Sequence, residues 1–420
     1  MYTLIKNIKK LVGVEYLPHP YLWGERMDLL HSIDQAWLLI EDDHIHSFGH
    51  MEDWTDMPVD KEIDASGKML LPCFCDSHTH IVYAGSREQE FVDKIKGLSY
   101  IEIAKRGGGI LNSAERLHQT TEEELFESAM KRVDEMIRFG TGAIEIKSGY
   151  GLSVEDELKM LRVIKRIKEH SPATIKSTFL GAHAVPAEYK GRQKEYVDMI
   201  IKDMIPAVAK EGLADFIDVF CDEGFFTVEE TDRMLKAAAE YDIEPKIHAN
   251  ELACSGGIQV GVLNRALSVD HLEFTGKEEI DALQESITMP TLLPGAAFFL
   301  GMDYPPARYM IDSGLPVALA SDYNPGSSPS GNMKFVLSLA CIQMKMTPNE
   351  AINAATINSA YAMGISLTHG SIVAGKKANV FLTKDIPSIE FIPYAYTSDI
   401  IDTVFLNGKV YGKSRKRQVD

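Results

Sequence analysis

The stretch Lys68-Met-Leu-Leu-Pro-Cys-Phe-Cys-Asp-Ser-His78-Thr-His80 runs from an apolar segment directly into two histidines that are one residue apart. The apolar part predicts a buried strand, Lys68–Cys75, with both histidines just beyond its end. Two imidazoles in that position project past the strand and can reach the same metal ion. A His-x-His pair alone is weak evidence, so the rest of the chain decides whether a metal site is present.

Three further residues with metal-binding side chains each follow a short apolar stretch of their own: His248, His271 and Asp322. Imidazole and carboxylate groups are the usual ligands of zinc and similar ions. The combination with the His-x-His pair is typical of a metal-dependent hydrolase. Scattered structural histidines are the less favoured alternative.

Short apolar runs alternate with amphipathic helices between about residues 68 and 325. Runs of this kind are expected for a parallel sheet that is buried on both faces. Strand followed by helix, about eight times, predicts an α/β fold, a (β/α)8 TIM barrel. The predicted strands are Lys68–Cys75, Ala143–Lys147, Ile175–Leu180, Phe216–Phe220, Pro245–Ile247, Ala266–Asp270, Ile287–Leu293 and Val317–Ala320.

A doubly wound open sheet is the alternative fold, and the placement of polar residues decides between the two. An open sheet gathers its site at one switch point, whereas a barrel collects residues from many strand ends. Six polar positions follow five different predicted strands, which favours the closed barrel: His78, His80, His183, His248, His271 and Asp322.

The two ends of the chain share a different pattern of short β-like pieces and turns. Asn407-Gly408, between two such pieces, is a strong hairpin signal. Each end is short for an independent domain. We therefore expect residues 1–66 and 368–420 to form one small β-sandwich domain, with the barrel, residues 67–367, inserted between them.

Composition excludes several classes of function. The chain of 420 residues has a net charge of −18, which argues against a nucleic-acid surface. The basic tail Lys413–Arg417 is interpreted as a solvated terminus. Five cysteines without a zinc-type pair suit a reducing cytoplasm, and no apolar stretch is long enough to span a membrane. The sequence thus predicts a cytoplasmic protein that binds neither nucleic acid nor membrane.

The predicted metal site has three imidazoles and one carboxylate, from His78, His80, His248 and Asp322. With a water molecule these ligands suit one divalent or trivalent ion, zinc or iron. His271 is either a fifth ligand or an acid/base. Lys147 ends a strand, but we expect it to be structural rather than to bridge two metals.

Hydrolysis also needs a group that accepts and returns protons. Glu251 lies three residues after His248, close to the predicted metal. Asp322 and His271 are the other candidates. The sequence does not show which of these three residues transfers each proton.

Several longer motifs give the chain a resemblance to the amidohydrolase superfamily. The Lys-Ser-Gly-Tyr-Gly and Asp-Tyr-Asn-Pro-Gly-Ser motifs are far more specific than His-x-His, and together the motifs cover the whole barrel. They are Ala84-Gly-Ser-Arg-Glu88, Arg106-Gly-Gly-Gly-Ile110, Glu145-Ile-Lys-Ser-Gly-Tyr-Gly-Leu152, Thr178-Phe-Leu-Gly-Ala-His183, His248-Ala-Asn-Glu251 and Ser321-Asp-Tyr-Asn-Pro-Gly-Ser-Ser328.

The resemblance implies hydrolytic opening of the ring of 4-imidazolone-5-propanoate to N-formimidoyl-L-glutamate, a step of histidine degradation. A metal-activated water would attack the cyclic amide carbonyl. Arg87 follows His80 by seven residues and could pair with the propionate carboxylate of the substrate. By resemblance, the other substrate-binding residues are Tyr150, His183, Glu251, Asn324, Gly326 and Ser327.

The loop after the last strand, with Asn324, Gly326 and Ser327, is rich in small residues. We expect it to expose backbone N–H groups that suit an anion such as the product carboxylate.

Two other functions compete with ring opening. A guanine- or cytosine-type deaminase would share the metal site but release ammonia, and Arg87 argues against it because a neutral base offers no anion. A non-enzymatic scaffold on the same fold is disfavoured because every proposed ligand is present. The resemblance also implies a possible homodimer.

Overall fold

The computed structural model describes residues 1–98 and 109–412. Residues 106–108 of the glycine-rich motif and the basic tail Lys413–Arg417 lie outside these ranges. The strands are β1 Tyr2–Val12, β2 Ser32–Glu41, β3 His44–His50, β4 Lys61–Asp64, β5 Lys68–Pro72, β6 Phe74–Asp76, β7 Thr141–Lys147, β8 Thr174–Ala182, β9 Phe216–Cys221, β10 Glu244–Ala249, β11 Ser268–His271, β12 Met289–Leu292, β13 Ala318–Leu319, β14 Val380–Asp385, β15 Ile401–Leu406 and β16 Lys409–Tyr411.

Strands β6 to β13 form one parallel sheet in chain order. The sheet closes where the chain just past β6 meets the chain just past β13. There Asp322 N donates to His78 O at 3.0 Å and His80 N donates to Tyr323 O at 2.9 Å. The predicted barrel is confirmed, and the closing seam itself carries three of the four predicted metal ligands, His78, His80 and Asp322.

Helices follow the barrel strands, with bounds Glu88–Ile95, Ile110–Gln119, Glu122–Arg138, Val154–His170, Gln193–Met199, Ile205–Glu211, Val228–Ala239, Gly257–Leu263, Lys277–Gln284, Pro294–Leu300, Ala307–Asp312, Met333–Ile342, Pro348–Asn353 and Ser359–Ala362. A further helix, Phe391–Tyr394, lies between β14 and β15. Two π-helical turns, Ile200–Met204 and Ala354–Asn358, each join two of them. Short 3-10 helices are Gly24–Asp28, Met51–Asp53 and Ala187–Tyr189.

A second sheet contains strands from both ends of the chain, in the order β16-β15-β14-β5-β1-β2-β3, with β4 beside β1. Its hairpin turns at Asn407 and Gly408, both with positive φ, as the sequence predicts. Residues such as Ile5, Leu38 and Phe405 give this sheet a buried core of its own. The predicted β-domain from both termini is therefore confirmed.

The prediction of a single strand over Lys68–Cys75 is wrong. Lys68–Pro72 pairs with β1 and β14 in the terminal sheet, whereas Phe74–Asp76 begins the barrel. The chain passes between the sheets at Cys73, whose N–H donates to Asn379 O. Because both strands are buried and apolar, the sequence pattern does not reveal the break. The domain limits at residues 66 and 367 stay a prediction.

Within residues 1–98 and 109–412, no helix is long and apolar enough to cross a bilayer.

The closing seam yields a prediction about stability. Asp76 is fully buried and accepts hydrogen bonds from Ser321 N at 2.9 Å and Ser321 Oγ at 2.5 Å. Asp76→Ala would leave both buried donors unpaired, at a cost of about 1–3 kcal/mol each. Thermal and urea unfolding should show a clear loss of stability.

Asp64 offers a matched control, because it accepts the same two hydrogen bonds from Ser66 but is exposed. Asp64→Ala should lower the free energy of unfolding by well under half as much. Equal losses in the two variants would contradict a special role for the seam.

Candidate functional site

Four side-chain atoms converge at the carboxyl end of the barrel. His78 Nε2 lies 3.2 Å from His80 Nε2 and 3.1 Å from His248 Nε2. Asp322 Oδ1 lies 3.7 Å from His78 Nε2 and 3.6 Å from His80 Nε2. All four side chains are buried. The structure thus brings together the four residues that the sequence predicts as metal ligands.

Two buried carboxylates fix the orientation of two of these imidazoles. Asp270 Oδ2 lies 2.6 Å from His78 Nδ1, and Asp218 Oδ2 lies 2.9 Å from His248 Nδ1. A carboxylate accepts, so each Nδ1 carries a proton, and in the neutral imidazole that binds a metal each Nε2 keeps its lone pair. His78 and His248 therefore direct two lone pairs at each other across 3.1 Å.

Two lone pairs at that distance repel unless a cation lies between them. A bond length of about 2.0–2.1 Å from zinc to nitrogen separates tetrahedral ligands by about 3.3 Å, close to the spacing seen here. The donor set of imidazole nitrogens and one carboxylate oxygen also suits zinc or iron. The residues therefore fit a single metal ion.

Below the histidines lies a buried ionic network that includes Lys147 and Lys246. Lys147 Nζ lies 2.7 Å from Glu145 Oε1 and 2.8 Å from Asp218 Oδ2, and Lys246 Nζ pairs with Glu145. Although burial lowers the pKa of Lys147, the carboxylates of Asp218 and Glu145 outweigh it and raise that pKa. Lys147 supports the carboxylate that orients His248, in line with the structural role expected for it.

Asp218 and Asp270 are not among the residues predicted from the sequence. Each is the single carboxylate of its buried barrel strand, which is the signal that could have found them. A buried charge is costly unless it is paired. A search for charged residues inside the predicted strands would also have selected Glu145 and Lys246.

A cavity of about 650 Å³ opens above the four converging atoms. Its apolar wall includes Phe91, Phe220, Phe225, Phe298 and Phe299. The predicted site residues that line it are His80, Arg87, Tyr150, His183, His248, Glu251, His271, Asp322, Asn324, Gly326 and Ser327. With His78 directly beside it, the whole predicted set meets at one place.

Arg87 brings a buried cation with open hydrogen-bond donors into this cavity. Its side chain is 11% exposed, and its Nε and Nη1 atoms are buried without a hydrogen-bond partner among residues 1–98 and 109–412. The Glu90 carboxylate is 3.6 Å from Nε. Gly326 makes room for the guanidinium, since a Cβ at that position would lie 1.3 Å from Nη2. A buried guanidinium with open donors suits an anionic ligand.

Asn324 organises the loop that follows the last barrel strand. Its Oδ1 accepts from Gly326 N at 2.7 Å and Ser327 N at 2.8 Å, and its Nδ2 donates to Asp322 O and Ser327 Oγ. The expectation that this loop exposes its backbone N–H groups is therefore wrong at these two residues, because Asn324 takes both. The anion-binding capacity of this wall lies with Arg87 instead.

His183 presents a hydrogen-bond acceptor to the cavity. Its Nδ1 lies 2.9 Å from the carbonyl oxygen of Gly149, which can only accept, so Nδ1 carries the proton. Burial and the neighbouring His248 lower the pKa of His183 to about 3, which keeps the ring neutral. Its Nε2 can then accept a hydrogen bond from a ligand N–H.

Two acidic groups near the converging atoms have pKa values close to neutrality. Burial, with Asp322 and Asp222 nearby, raises the pKa of Glu251 to about 8. Burial also raises the pKa of Asp322 to about 6. The Asp222 carboxylate holds the loop of Glu251 by accepting from its backbone N–H at 2.7 Å. Groups with such pKa values can both take and give a proton at neutral pH.

The chain is similar to known proteins over nearly its whole length. The amidohydrolase family model matches residues 69–411. An imidazolonepropionase of Christiangramia forsetii is 55% identical over 98% of this chain and 100% of its own length. An imidazolonepropionase of Flavobacterium johnsoniae is 56% identical with the same coverage of both chains.

Solved structures are similar in fold at much lower sequence identity. A triazine hydrolase variant matches with a TM-score of 0.74 at 15% identity, over 97% of this chain and 94% of its own. A zinc-bound adenosine deaminase from Xanthomonas campestris matches with a TM-score of 0.71 at 16% identity, over 97% and 92%. At such identities these structures support the fold alone.

Metal binding should depend on the carboxylate behind His248 as well as on His248 itself. His248→Ala should abolish bound metal because it removes a ligand. Asp218→Asn should bind metal about 10–100-fold more weakly, as expected when the partner of a ligand imidazole is altered. Calorimetric titration of metal into each metal-free protein measures both effects.

Asp215, a partly exposed carboxylate just before the same strand, pairs with Lys176 and serves as the control. Asp215→Asn should bind metal as tightly as the parent. Unchanged affinity in Asp218→Asn would contradict the orienting role of that carboxylate.

Proposed function

Because the chain belongs to the amidohydrolase family, we propose that it hydrolyses 4-imidazolone-5-propanoate to N-formimidoyl-L-glutamate. The relatives that are more than half identical over the full length carry the name of that activity. The observation that supports this substrate best is the guanidinium of Arg87 in the cavity beside the histidine cluster, whose buried Nε and Nη1 have no hydrogen-bond partner among the described residues. The reaction breaks a C–N bond of a cyclic amide and adds one water molecule.

Arg87 orients the substrate by its carboxylate. The propionate group accepts from the guanidinium donors that are open in the structure, a charge-assisted pair that also fixes direction. His183 accepts from a ring N–H through Nε2, and the buried ring of Tyr150 lies against His183 and His80. These contacts leave the ring carbonyl to face the histidine cluster.

His78, His80, His248 and Asp322 would hold the metal ion. When bound, such an ion polarises a carbonyl and makes a water molecule a stronger acid. Glu251 takes a proton from the attacking water and returns it to the ring nitrogen that leaves, for which its raised pKa suits it. The apolar wall around Phe220 and Phe299 excludes bulk water from the place where this proton transfer occurs.

The alternative, deamination of a neutral base, is less well supported. It needs the same histidine cluster but leaves Nε and Nη1 of Arg87 buried without a hydrogen-bond partner among the described residues, with the Glu90 carboxylate 3.6 Å from Nε, which is energetically costly. A propionate removes that cost. Ring opening therefore explains one feature of the cavity that deamination does not.

The finer assignments follow from the same proposal. The metal is zinc or iron, since both accept three imidazoles and one carboxylate. The reaction belongs to histidine degradation in the cytoplasm. A homodimer is the expected assembly.

A turnover assay with freshly generated 4-imidazolone-5-propanoate tests this function. We expect N-formimidoyl-L-glutamate to accumulate without ammonia, because ring opening retains every nitrogen. Ammonia release would indicate a deaminase. No turnover by metal-loaded protein would contradict the proposed substrate.

Arg87→Ala should mainly raise KM. Loss of a buried charge-assisted pair of about 2–4 kcal/mol corresponds to a KM increase of roughly 30- to 900-fold. Gly326→Ala should act in the same direction, because its Cβ would occupy the position of the guanidinium. Arg166→Ala, which removes an arginine paired with Glu123 on the surface, is the control. A KM unchanged in Arg87→Ala would make that residue merely structural.

Glu251→Gln should keep its metal but lower kcat by about 10²–10⁴-fold, the usual contribution of a general acid/base. The amide has nearly the same shape and cannot exchange a proton in this role. Metal analysis of the same sample separates a lost proton carrier from a lost metal. A variant as fast as the parent would exclude Glu251 from proton transfer.

A further inference from the structure

His271 lies between two carboxyl groups, one on each ring nitrogen. Its Nε2 is 3.7 Å from Glu251 Oε2, and its Nδ1 is 3.9 Å from Glu273 Oε2. Glu251 lines the cavity. The Glu273 side chain is 1% exposed and approaches the opposite nitrogen of the ring. Glu273 has no role in the function proposed above.

The atoms with which Glu273 and His271 face each other form no hydrogen bond to any described residue. Both carboxyl oxygens of Glu273 and Nδ1 of His271 are buried without a hydrogen-bond partner in the described part of the chain. Buried polar atoms rarely stay unpaired in folded proteins. The separation of 3.9 Å exceeds a hydrogen bond, so the two side chains must approach by about 1 Å to form one.

The backbone holds this pair in place under strain. His271 has φ 86° and Leu272 has φ 69°, two successive residues in a region that side chains disfavour. Leu272 N donates to Ala249 O at 3.1 Å and fixes the turn. Strain of this kind persists where the surrounding structure determines the conformation. Here the conformation turns the His271 ring toward the cavity and places the Glu273 carboxyl group near Nδ1 of that ring.

We propose that Glu273 is a positioning residue, which accepts a hydrogen bond from Nδ1–H of His271 and so leaves Nε2 as an acceptor toward Glu251 and the substrate. The identity of that substrate rests on the proposed function. The arrangement resembles the third member of a catalytic triad, which holds an imidazole in one tautomer.

The arrangement does not depend on the charge of Glu273. Burial and the neighbouring Glu251 raise the pKa of Glu273 well above its ordinary range. A protonated carboxyl still offers its carbonyl oxygen as an acceptor. Glu273→Gln therefore retains an acceptor, whereas Glu273→Leu removes it at similar size.

The tautomer of His271 tests the proposal without any substrate. Zinc-loaded protein with ¹⁵N-labelled histidine gives imidazole spectra in which His271→Asn identifies the His271 signals. We expect an Nδ1–H tautomer in the parent and in Glu273→Gln, and a shift toward Nε2–H in Glu273→Leu. The same Nδ1–H tautomer in Glu273→Leu would overturn the proposal, whatever the substrate of the enzyme is.

Kinetics and stability give a second, independent readout. Glu273→Leu should lower kcat at least 10-fold with KM within 2-fold and with no loss of melting temperature, since it removes an unpaired buried carboxyl. Glu273→Gln should recover most of kcat. In a His271→Asn background, Glu273→Leu should have no further effect, because the two residues act as a unit.

Glu279 provides the matched control. It is also buried, but it accepts from Gly276 N at 2.9 Å and from Gln259, away from the cavity. Glu279→Leu should lower the melting temperature and leave kcat unchanged, the opposite pattern. Parallel loss of kcat and stability in Glu273→Leu would assign Glu273 a structural role and overturn the proposal.

Discussion

Two imidazole lone pairs held 3.1 Å apart are the constraint on which the rest of the site depends. The carboxylates of Asp270 and Asp218 fix the tautomers of His78 and His248, so the barrel is built around a repulsion that only a cation relieves. Lys147 in turn compensates the buried charge of Asp218. The buried ionic network beneath the site therefore supports metal binding, although apolar side chains at the same place would stabilise the fold more easily.

The geometry of the barrel supplies the other half of this constraint. His78 and Asp322 come from opposite ends of the barrel sequence and meet only because the sheet closes beside them. The cavity above then combines apolar aromatic rings with Arg87, a cation whose buried Nε and Nη1 have no hydrogen-bond partner in the described part of the chain. Such a cavity binds an anionic tail and exposes a neutral ring to the cluster, which is the requirement for opening a cyclic amide that carries a carboxylate.

Much of this could be predicted from the sequence, because the relevant signals are local. Apolar runs with histidine or aspartate at their ends predicted the barrel and the positions of His78, His248 and Asp322. The break at Cys73 was missed because both flanking strands are buried and apolar. Asp218 and Asp270 were missed because their partners lie on other strands. The capture of two backbone N–H groups by Asn324 depends on a turn geometry that residue types alone do not specify.

X-ray absorption spectroscopy of the metal-loaded protein, combined with metal analysis, tests the central claim most directly. We predict one metal per chain with nitrogen and oxygen ligands at about 2.0–2.2 Å and outer scattering from three imidazole rings. A second metal at about 3.5–4 Å, as in two-metal hydrolases, would contradict a single ion held by His78, His80, His248 and Asp322. Scattering from fewer than three imidazoles would contradict it as well.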